Sequence, residues 1–189
     1  ATTLGTMIAI ALVRYRFKFR SSISLLLFLP MATPELVLGA GLAAQFFNFG
    51  VEMGFTTIVL AHVMFCLSFV VVTVKARVAS LDPALEEAAT DLYGSPSQVF
   101  WKVTFPLLLP GIMAAALLAF ALSFDDFIIT YFNSGPTETF PTFVYTAASK
   151  GLPGEANVIG IAVFLLAIAI VLTLQIRSSI KTKRLAAMK

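Results

Sequence analysis

The sequence has few charged residues. Aspartate, glutamate, lysine and arginine together account for 12% of the 189 residues, whereas soluble domains carry about 25%. Hydrophobic residues account for 59%, and the mean hydropathy is +0.93. A chain with so little polar surface cannot cover a globule in water, so the composition predicts a protein that is solvated partly by lipid.

Cysteine and histidine are also scarce, which limits the chemistry that the chain can perform. Cys66 is the only cysteine, so a disulfide framework is excluded. His62 is the only histidine, and with Cys66 it supplies two ligands on one helix face, too few for a metal site. The chain has no G-x-x-x-x-G-K-[ST] motif for ATP and no set of residues for a catalytic triad. We therefore expect a non-enzymatic chain with no cofactor or metal of its own and no nucleic-acid partner.

The apolar residues fall into long runs, and about 20 of them in a helix can cross a bilayer. Four full spans are predicted at residues 23–47, 55–74, 106–124 (continuing towards 132) and 158–176. A shorter run at 2–13 predicts a truncated fifth span. The predicted fold is an all-α polytopic membrane protein, a single transmembrane domain over residues 1–189 with five visible spans of an expected six.

Basic residues predict the orientation, because cytoplasmic loops carry an excess of lysine and arginine. Twelve of the 13 basic residues lie in the regions 14–20, 75–105 and 177–189, and Lys150 is the exception. These regions, and with them the C-terminus, are expected in the cytoplasm. The alternation of spans then places residue 1 outside, so one more span is expected upstream.

The outer side is expected to hold one long excursion, residues 133–157. Within it, Pro141 suits the first turn of a helix. We predict a short interfacial or re-entrant helix over residues 141–148.

The cytoplasmic loop at 75–105 contains two helix-start signals. Asp82-Pro83 combines an N-cap with a proline suited to the first turn, and Ser95-Pro96 repeats the signal. Gly94 can end the first helix, and the second is expected to end near Pro106. The first helix has an apolar face and a polar face, formed respectively by Leu85, Ala88, Ala89 and Leu92 and by Glu86, Glu87, Thr90 and Asp91. Helices this short are unstable alone, so a partner surface is predicted.

This loop resembles a known family signature. Glu87-Ala88-Ala89, a glycine shortly afterwards and Val103-Thr104-Phe105-Pro106 are similar to the EAA signature of the permeases of ATP-binding-cassette (ABC) importers. Tyr93 stands where that signature has glycine, and Gly94 follows one position later. In that family the loop forms a coupling helix that docks on a cytoplasmic ATPase. The resemblance implies this coupling role for Asp82, Glu86, Glu87, Ala88, Ala89, Asp91, Tyr93 and Gly94.

The alternative for this loop is an amphipathic helix that lies on the membrane. Such helices usually carry basic residues that meet anionic lipid, whereas this one presents acidic groups. The charge therefore favours docking on a protein.

The resemblance extends over essentially the whole chain. LPMATPELVLG (29–39) and SFDDFIITYFNSGP (123–136) are similar to stretches of the second permease of spermidine/putrescine importers. The resemblance implies a type I importer permease in a bacterial inner membrane, surrounded by lipid, with a polyamine as its solute. It also implies a second permease subunit, two subunits that bind ATP and magnesium, and an extracytoplasmic solute-binding protein that would meet the excursion at 133–157.

Three acidic residues are expected at membrane depth, where a carboxylate is a functional candidate because its burial is costly. Asp125 and Asp126, with aromatic residues such as Tyr131 nearby, could hold a cationic amine by charge and cation–π attraction. We predict a substrate path that includes these residues and Glu35. The alternative for the aspartates is structural: they cap free N–H groups of the outer loop or pair with Lys150.

Glu35 has a structural alternative of its own. Thr33-Pro34-Glu35 combines an N-cap, a proline at the first position and an acid in the first turn. The span at 23–47 is therefore expected to break at 30–34 and restart. The acid would then satisfy N–H groups at the break, which could itself act as a gate.

Two other functions stay open from the sequence. A secondary transporter in which Asp125 or Asp126 carries a coupling proton would depend on the proton gradient and not on ATP. A membrane scaffold would move no solute in reconstituted vesicles.

Overall fold

The computed structural model describes residues 1–150, 154, 157–158, 160–165 and 168–169. The chain forms two compact units, Ala1–Thr142 and Phe143–Lys189. Much of the predicted span at 158–176, the segment 177–189 and part of the excursion at 133–157 lie outside the described residues. The single domain over 1–189 and the cytoplasmic C-terminus therefore stay predictions.

Nine α-helices, numbered in chain order, lie within residues 1–150, residues 160–165 are helical as well, and no strand occurs among the described residues. The helices are α1 (Thr2–Arg14), α2 (Arg20–Ala32), α3 (Glu35–Asn48), α4 (Phe55–Ala79), α5 (Ala84–Asp91), α6 (Pro96–Val99), α7 (Phe105–Asp125), α8 (Ile128–Asn133) and α9 (Phe140–Lys150). A π-helical turn, Phe100–Thr104, joins α6 to α7. The all-α prediction is confirmed for the described part, and α9 confirms the predicted helix at 141–148.

α4 is the centre of the first unit, and α1 and α7 pack on it. α1 approaches α4 most closely at Gly5, where an added Cβ would lie 2.5 Å from Cγ1 of Val70. Ala9, one turn further along α1, is fully buried. Small residues one turn apart allow helix backbones in membrane proteins to approach closely. The buried core consists of Ala9, Leu12, Ala61, Phe65, Cys66, Val70, Val71, Val74, Val78, Leu108, Ala115, Ala119 and Ile129.

Two helical segments in the described part are long and apolar enough to cross a membrane. They are Phe55–Ala79 and the continuous segment Pro96–Asp125. The pair α2 and α3 passes the same test together, but the two helices are bent by 110°. α1 is apolar and shorter, with 13 residues. The described residues thus provide two or three spans, and the total of five or six stays a prediction.

The span predicted at 23–47 is interrupted between α2 and α3. Thr33 has an extended backbone, as expected for a residue that precedes proline. The predicted break before α3 is therefore confirmed. Thr33 nevertheless has a different role from the predicted cap of α3, because its Oγ1 donates to the carbonyl of Leu29 at 2.8 Å, at the end of α2.

The prediction that the second cytoplasmic helix ends near Pro106 is also wrong. The helical segment runs on for 30 residues, past Pro106 and Pro110. The π-helical turn ends at Thr104, two residues before Pro106. Its wider backbone changes the hydrogen-bond register of the helix just before the proline, which has no N–H to donate. The predicted continuation beyond α7 is interrupted instead at Asp126, whose backbone is extended, and α8 restarts at Ile128.

Candidate coupling loop and acidic cavity

The loop at 75–105 contains the two predicted helix starts. Oδ1 of Asp82 accepts a hydrogen bond from the N–H of Ala84 at 3.0 Å, which satisfies a free donor at the start of α5. Ser95 and Gln98 cap α6 reciprocally. The Gln98 N–H donates to Oγ of Ser95 at 3.4 Å, and the Ser95 N–H donates to Oε1 of Gln98 at 3.0 Å. Both starts are therefore confirmed.

α5 ends in a Schellman motif with tyrosine in the position that usually holds glycine. Tyr93 has a φ of 58°, in the left-handed region. Its N–H donates to the carbonyl of Thr90 at 2.9 Å, and the N–H of Gly94 donates to the carbonyl of Ala89 at 3.1 Å. A Cβ at Gly94 would lie 2.7 Å from that Ala89 carbonyl oxygen. Tyr93 thus bears the backbone strain, whereas Gly94 is required for close approach.

Most of the predicted coupling residues on α5 are exposed. Leu92 and Tyr93 have 82% and 98% of their surface accessible, values that are high for large apolar side chains. Glu87, in the first turn of α5, and Asp91, its last residue, are exposed as well. We call these four exposed residues, Glu87, Asp91, Leu92 and Tyr93, the tip of α5, and together they present a mixed apolar and acidic surface. Asp82 and Ala88 are exposed as well, whereas Glu86, Ala89 and Gly94 are partly buried.

Glu86 differs from the other acids of α5 because it pairs within the chain. Its carboxylate forms a bidentate ion pair with Arg14, which is the last residue of α1. Nη2 of Arg14 lies 2.6 Å from Oε1 of Glu86, and Nη1 donates to Oε2. Thr104 donates from Oγ1 to the same Oε1 at 2.7 Å. We call this group the Arg14–Glu86–Thr104 clamp.

The acids predicted at membrane depth line one cavity. Its volume is about 500 Å³, and its wall includes Glu35, Asp125 and Asp126 together with Phe65 and Phe127. No lysine or arginine lines it, and its other lining residues are apolar, namely Leu118, Ala121, Leu122 and Ile128. The break before α3 and the break between α7 and α8 bring these carboxylates together. Tyr131 does not line this cavity, although its ring centroid lies 5.4 Å from that of Phe127.

Asp126 is buried, with 8% of its surface accessible, and it caps α8. Oδ2 accepts from the N–H of Thr130 at 2.8 Å, and Oδ1 accepts from the N–H of Ile129 at 3.3 Å. Asp126 therefore has a capping role, but it caps α8 and not the outer loop of the predicted alternative. The pairing of an aspartate with Lys150 involves a side chain that lies outside the described part.

His62 completes a polar network that the sequence did not reveal. Its Nε2 lies 2.7 Å from Oγ1 of Thr130 and 3.3 Å from Oδ2 of Asp126. Its Nδ1 lies 2.7 Å from Oγ of Ser123. The partners are 61 to 68 residues away in the chain, so the only local signal was a histidine within an apolar run. The network ties α4 to α7 and α8.

Asp125 has surroundings opposite to those of Asp126. Its side chain is exposed, and among the described residues it has no hydrogen bond or ion pair. Glu35 is exposed in the first turn of α3 and likewise has no such partner there. Two carboxylates on this cavity are thus free to bind a cation from solution.

The described residues contain no group of three or more metal-binding side chains. Cys66 lies within α4 and donates from Sγ to the carbonyl of Ala119 at 3.5 Å. This contact agrees with a packing role for the thiol.

Comparisons with known proteins give one consistent result. Residues 1–183 match the family described as "Binding-protein-dependent transport system inner membrane component". The chain is 35% identical over 184 residues to the spermidine/putrescine transport system permease protein PotC of Escherichia coli (strain K12), with 97% of this chain and 70% of that protein covered. It is 37% identical over 165 residues to the putrescine transport system permease protein PotI of the same strain, with 83% and 59% covered. A PotC homolog of Mycoplasma genitalium is 30% identical over 185 residues, with 96% and 65% covered.

Proposed function

Because this chain belongs to the family of inner-membrane components of binding-protein-dependent transport systems, we propose that it is a permease subunit of an ABC importer for polyamines. It forms part of the path for the solute and does not itself hydrolyse ATP. A second permease, two ATP-binding subunits and an extracytoplasmic binding protein complete the transporter. The chain spans the membrane five or six times with its C-terminus in the cytoplasm.

The exposed tip of α5 supports the assignment of the coupling surface. Leu92 and Tyr93 are large apolar side chains that are 82% and 98% exposed, and the exposed acids Glu87 and Asp91 add negative charge to α5. A cleft with apolar walls and basic residues would complement this surface. We propose that the ATP-binding subunit supplies such a cleft.

The acidic cavity supports a cationic solute. Three carboxylates and no basic side chain line about 500 Å³, so the local field attracts amines. Its apolar wall suits the methylene groups of an aliphatic polyamine, and the ring of Phe127 offers a cation–π partner. All three relatives described above carry spermidine or putrescine in their names. The charge of this cavity is the observation that carries the polyamine assignment.

Within the cavity, we assign contact with the solute to Asp125 and Glu35. Both side chains are exposed and lack partners among the described residues. Asp126 contributes its charge but keeps its oxygens engaged with α8 and His62. Tyr131 lies outside the cavity lining, and we assign it a place at the edge of the path, where its ring contacts that of Phe127.

The proposed transport is tested in proteoliposomes that contain the complete transporter with its binding protein. We expect labelled spermidine or putrescine to accumulate when ATP is supplied on the cytoplasmic face, and accumulation to survive a protonophore. Uptake that needs the proton gradient and ignores ATP would instead support the secondary transporter. An absence of flux for every polyamine, with ATP hydrolysis intact, would overturn the cargo assignment.

The docking surface is tested separately through assembly. Glu87→Lys reverses a charge at the exposed tip of α5 and should reduce copurification of the ATP-binding subunit and uptake in parallel. Glu52→Lys, at an exposed acid in the loop between α3 and α4, is the matched control and should assemble normally. Normal assembly and uptake by the Glu87 variant would count against docking at this surface.

A further inference from the structure

We propose that the Arg14–Glu86–Thr104 clamp makes α5 move together with α1, so that a push on the coupling loop reaches the helix pair α1 and α4. This inference rests on the proposed importer function, because it concerns how the coupling loop acts. It gives Glu86 a role different from that of its neighbour Glu87. Glu86 transmits movement inside the permease, and Glu87 faces the partner.

The geometry of the clamp favours transmission. A bidentate Arg–carboxylate pair constrains both the distance and the orientation of its two groups, unlike a single charge contact. Here both guanidinium Nη atoms donate, and the Thr104 hydroxyl occupies a further lone pair of Glu86. The pair is about three-quarters covered on each side, at 27% and 23% side-chain exposure. Water therefore competes less for these groups than at an exposed ion pair.

The two charges also lie at the helix ends that stabilise them. Arg14 is in the last turn of α1, near the negative end of that helix, and Glu86 is in the first turn of α5, near its positive end. The ion pair thus joins the C-terminal end of α1 to the N-terminal end of α5, and each charge is stabilised by the dipole of the helix that carries it. Thr104 adds the π-helical turn that leads into α7. Three segments meet at one carboxylate.

α1, the helix to which the clamp would transmit the movement of α5, is closely packed. α1 lies against α4 through Gly5, with Val70 in the space that a side chain at Gly5 would need. The loop of residues 80–83 separates α4 from α5, so α5 is attached to this pair twice, once by the chain and once by the clamp. Both attachments lie at the N-terminal end of α5. The chain alone would leave this end free to rotate about the connection, whereas the clamp fixes the first turn of α5 against α1 and the π-helical turn.

The test uses the complete transporter in proteoliposomes and measures solute taken up per ATP hydrolysed. Arg14→Gln and Glu86→Gln each remove one charge of the clamp at similar side-chain volume. We expect both variants to retain ATP hydrolysis and to transport about ten-fold less solute per ATP, a ratio typical of a lost coupling between sites. The double variant should match the single variants, because the clamp acts as a unit.

Matched controls separate the clamp from a general loss of charge. Arg16→Gln changes an exposed cation two residues beyond Arg14, and Glu52→Gln changes an exposed acid far from the loop; both should transport normally. A Glu86→Gln defect that Arg14→Gln does not share would overturn the proposal and place Glu86 at the interface with the ATP-binding subunit. Normal uptake per ATP in both single variants would overturn it too.

A structural measurement keeps the proposal testable if no importer activity is found. Spin labels at residues 7 and 92, in a background in which Cys66 is replaced by alanine, report the distance between α1 and α5. Both positions are exposed, which leaves room for a label. We expect a narrow distance distribution in the parent and a distribution at least twice as broad in Arg14→Gln and in Glu86→Gln. Equal widths would overturn the clamp itself, whereas absent ATP-driven uptake with the expected widths would overturn only the importer function.

Discussion

Asp125 and Asp126 are consecutive residues whose carboxylates have opposite surroundings on one cavity. Asp126 is 8% exposed, accepts backbone N–H groups of α8 and lies 3.3 Å from the imidazole of His62. Asp125 is exposed and has no partner among the described residues. The change from helix to extended backbone between α7 and α8 turns the two side chains in different directions.

This difference predicts two distinct phenotypes. Asp125→Asn removes a free charge from the cavity and should lower transport of a polyamine, with thermal stability unchanged. Asp126→Asn removes charged hydrogen-bond acceptors from a buried site and should lower the free energy of unfolding by about 1–3 kcal/mol. Uptake assays and thermal unfolding in detergent measure the two effects. Equal thermal destabilisation by both variants would contradict the division of roles.

His62 should be important for the stability of the same region. His62→Leu removes the imidazole partner of the Ser123 and Thr130 hydroxyls and the imidazole beside the buried Asp126 carboxylate, so a loss of about 2–3 kcal/mol is expected. Ser123→Ala removes only one of the three contacts of the imidazole and should cost about 1 kcal/mol. Unfolding of the purified variants checks the order. A more severe effect from Ser123→Ala than from His62→Leu would contradict the network.

Tyr93 is strained, and the strain can be removed. Tyr93→Gly should stabilise the coupling loop by about 1 kcal/mol, because glycine adopts the left-handed conformation without a steric penalty. Gly94→Ala should do the reverse, since its Cβ would lie 2.7 Å from the Ala89 carbonyl oxygen. Hydrogen exchange at the amides of α5 reports both changes. If Tyr93 also contacts the partner, Tyr93→Gly should weaken assembly while it slows exchange in the isolated permease.

The close approach of α1 and α4 predicts a size-dependent effect at Gly5. Gly5→Ala places a Cβ 2.5 Å from Cγ1 of Val70 and should destabilise the protein by about 1–3 kcal/mol. Val70→Ala in the same chain should recover part of that loss. Gly41→Ala is the control, because nothing lies within 4 Å of its Cβ position; in α3 it should be neutral or slightly stabilising. No recovery in the Gly5→Ala/Val70→Ala double variant would argue against this contact.

Local features of the fold were predictable from the sequence. The caps at Asp82 and at Ser95, the break before α3 and the central span α4 all follow from residues within a few positions of one another. The angle of that break, 110° between α2 and α3, was not predictable, because hydropathy alone measures length and not direction. The predicted helix end near Pro106 was wrong for a related reason: a π-helical turn accommodates the proline, and composition does not reveal that turn.

The sequence by itself determined that this chain is helical and apolar, where helices begin in the loop at 75–105 and which acids are candidates for a cationic path. These properties depend on hydrophobic runs, caps and the motif, all of which are local. Only the tertiary structure decided that Glu86 pairs with Arg14, 72 residues away, that His62 meets Asp126, and that Asp125 has no partner in the described part of the chain. Packing brings such distant residues together. Whether a carboxylate is available to a ligand depends on which hydrogen-bond donors the other helices place beside it.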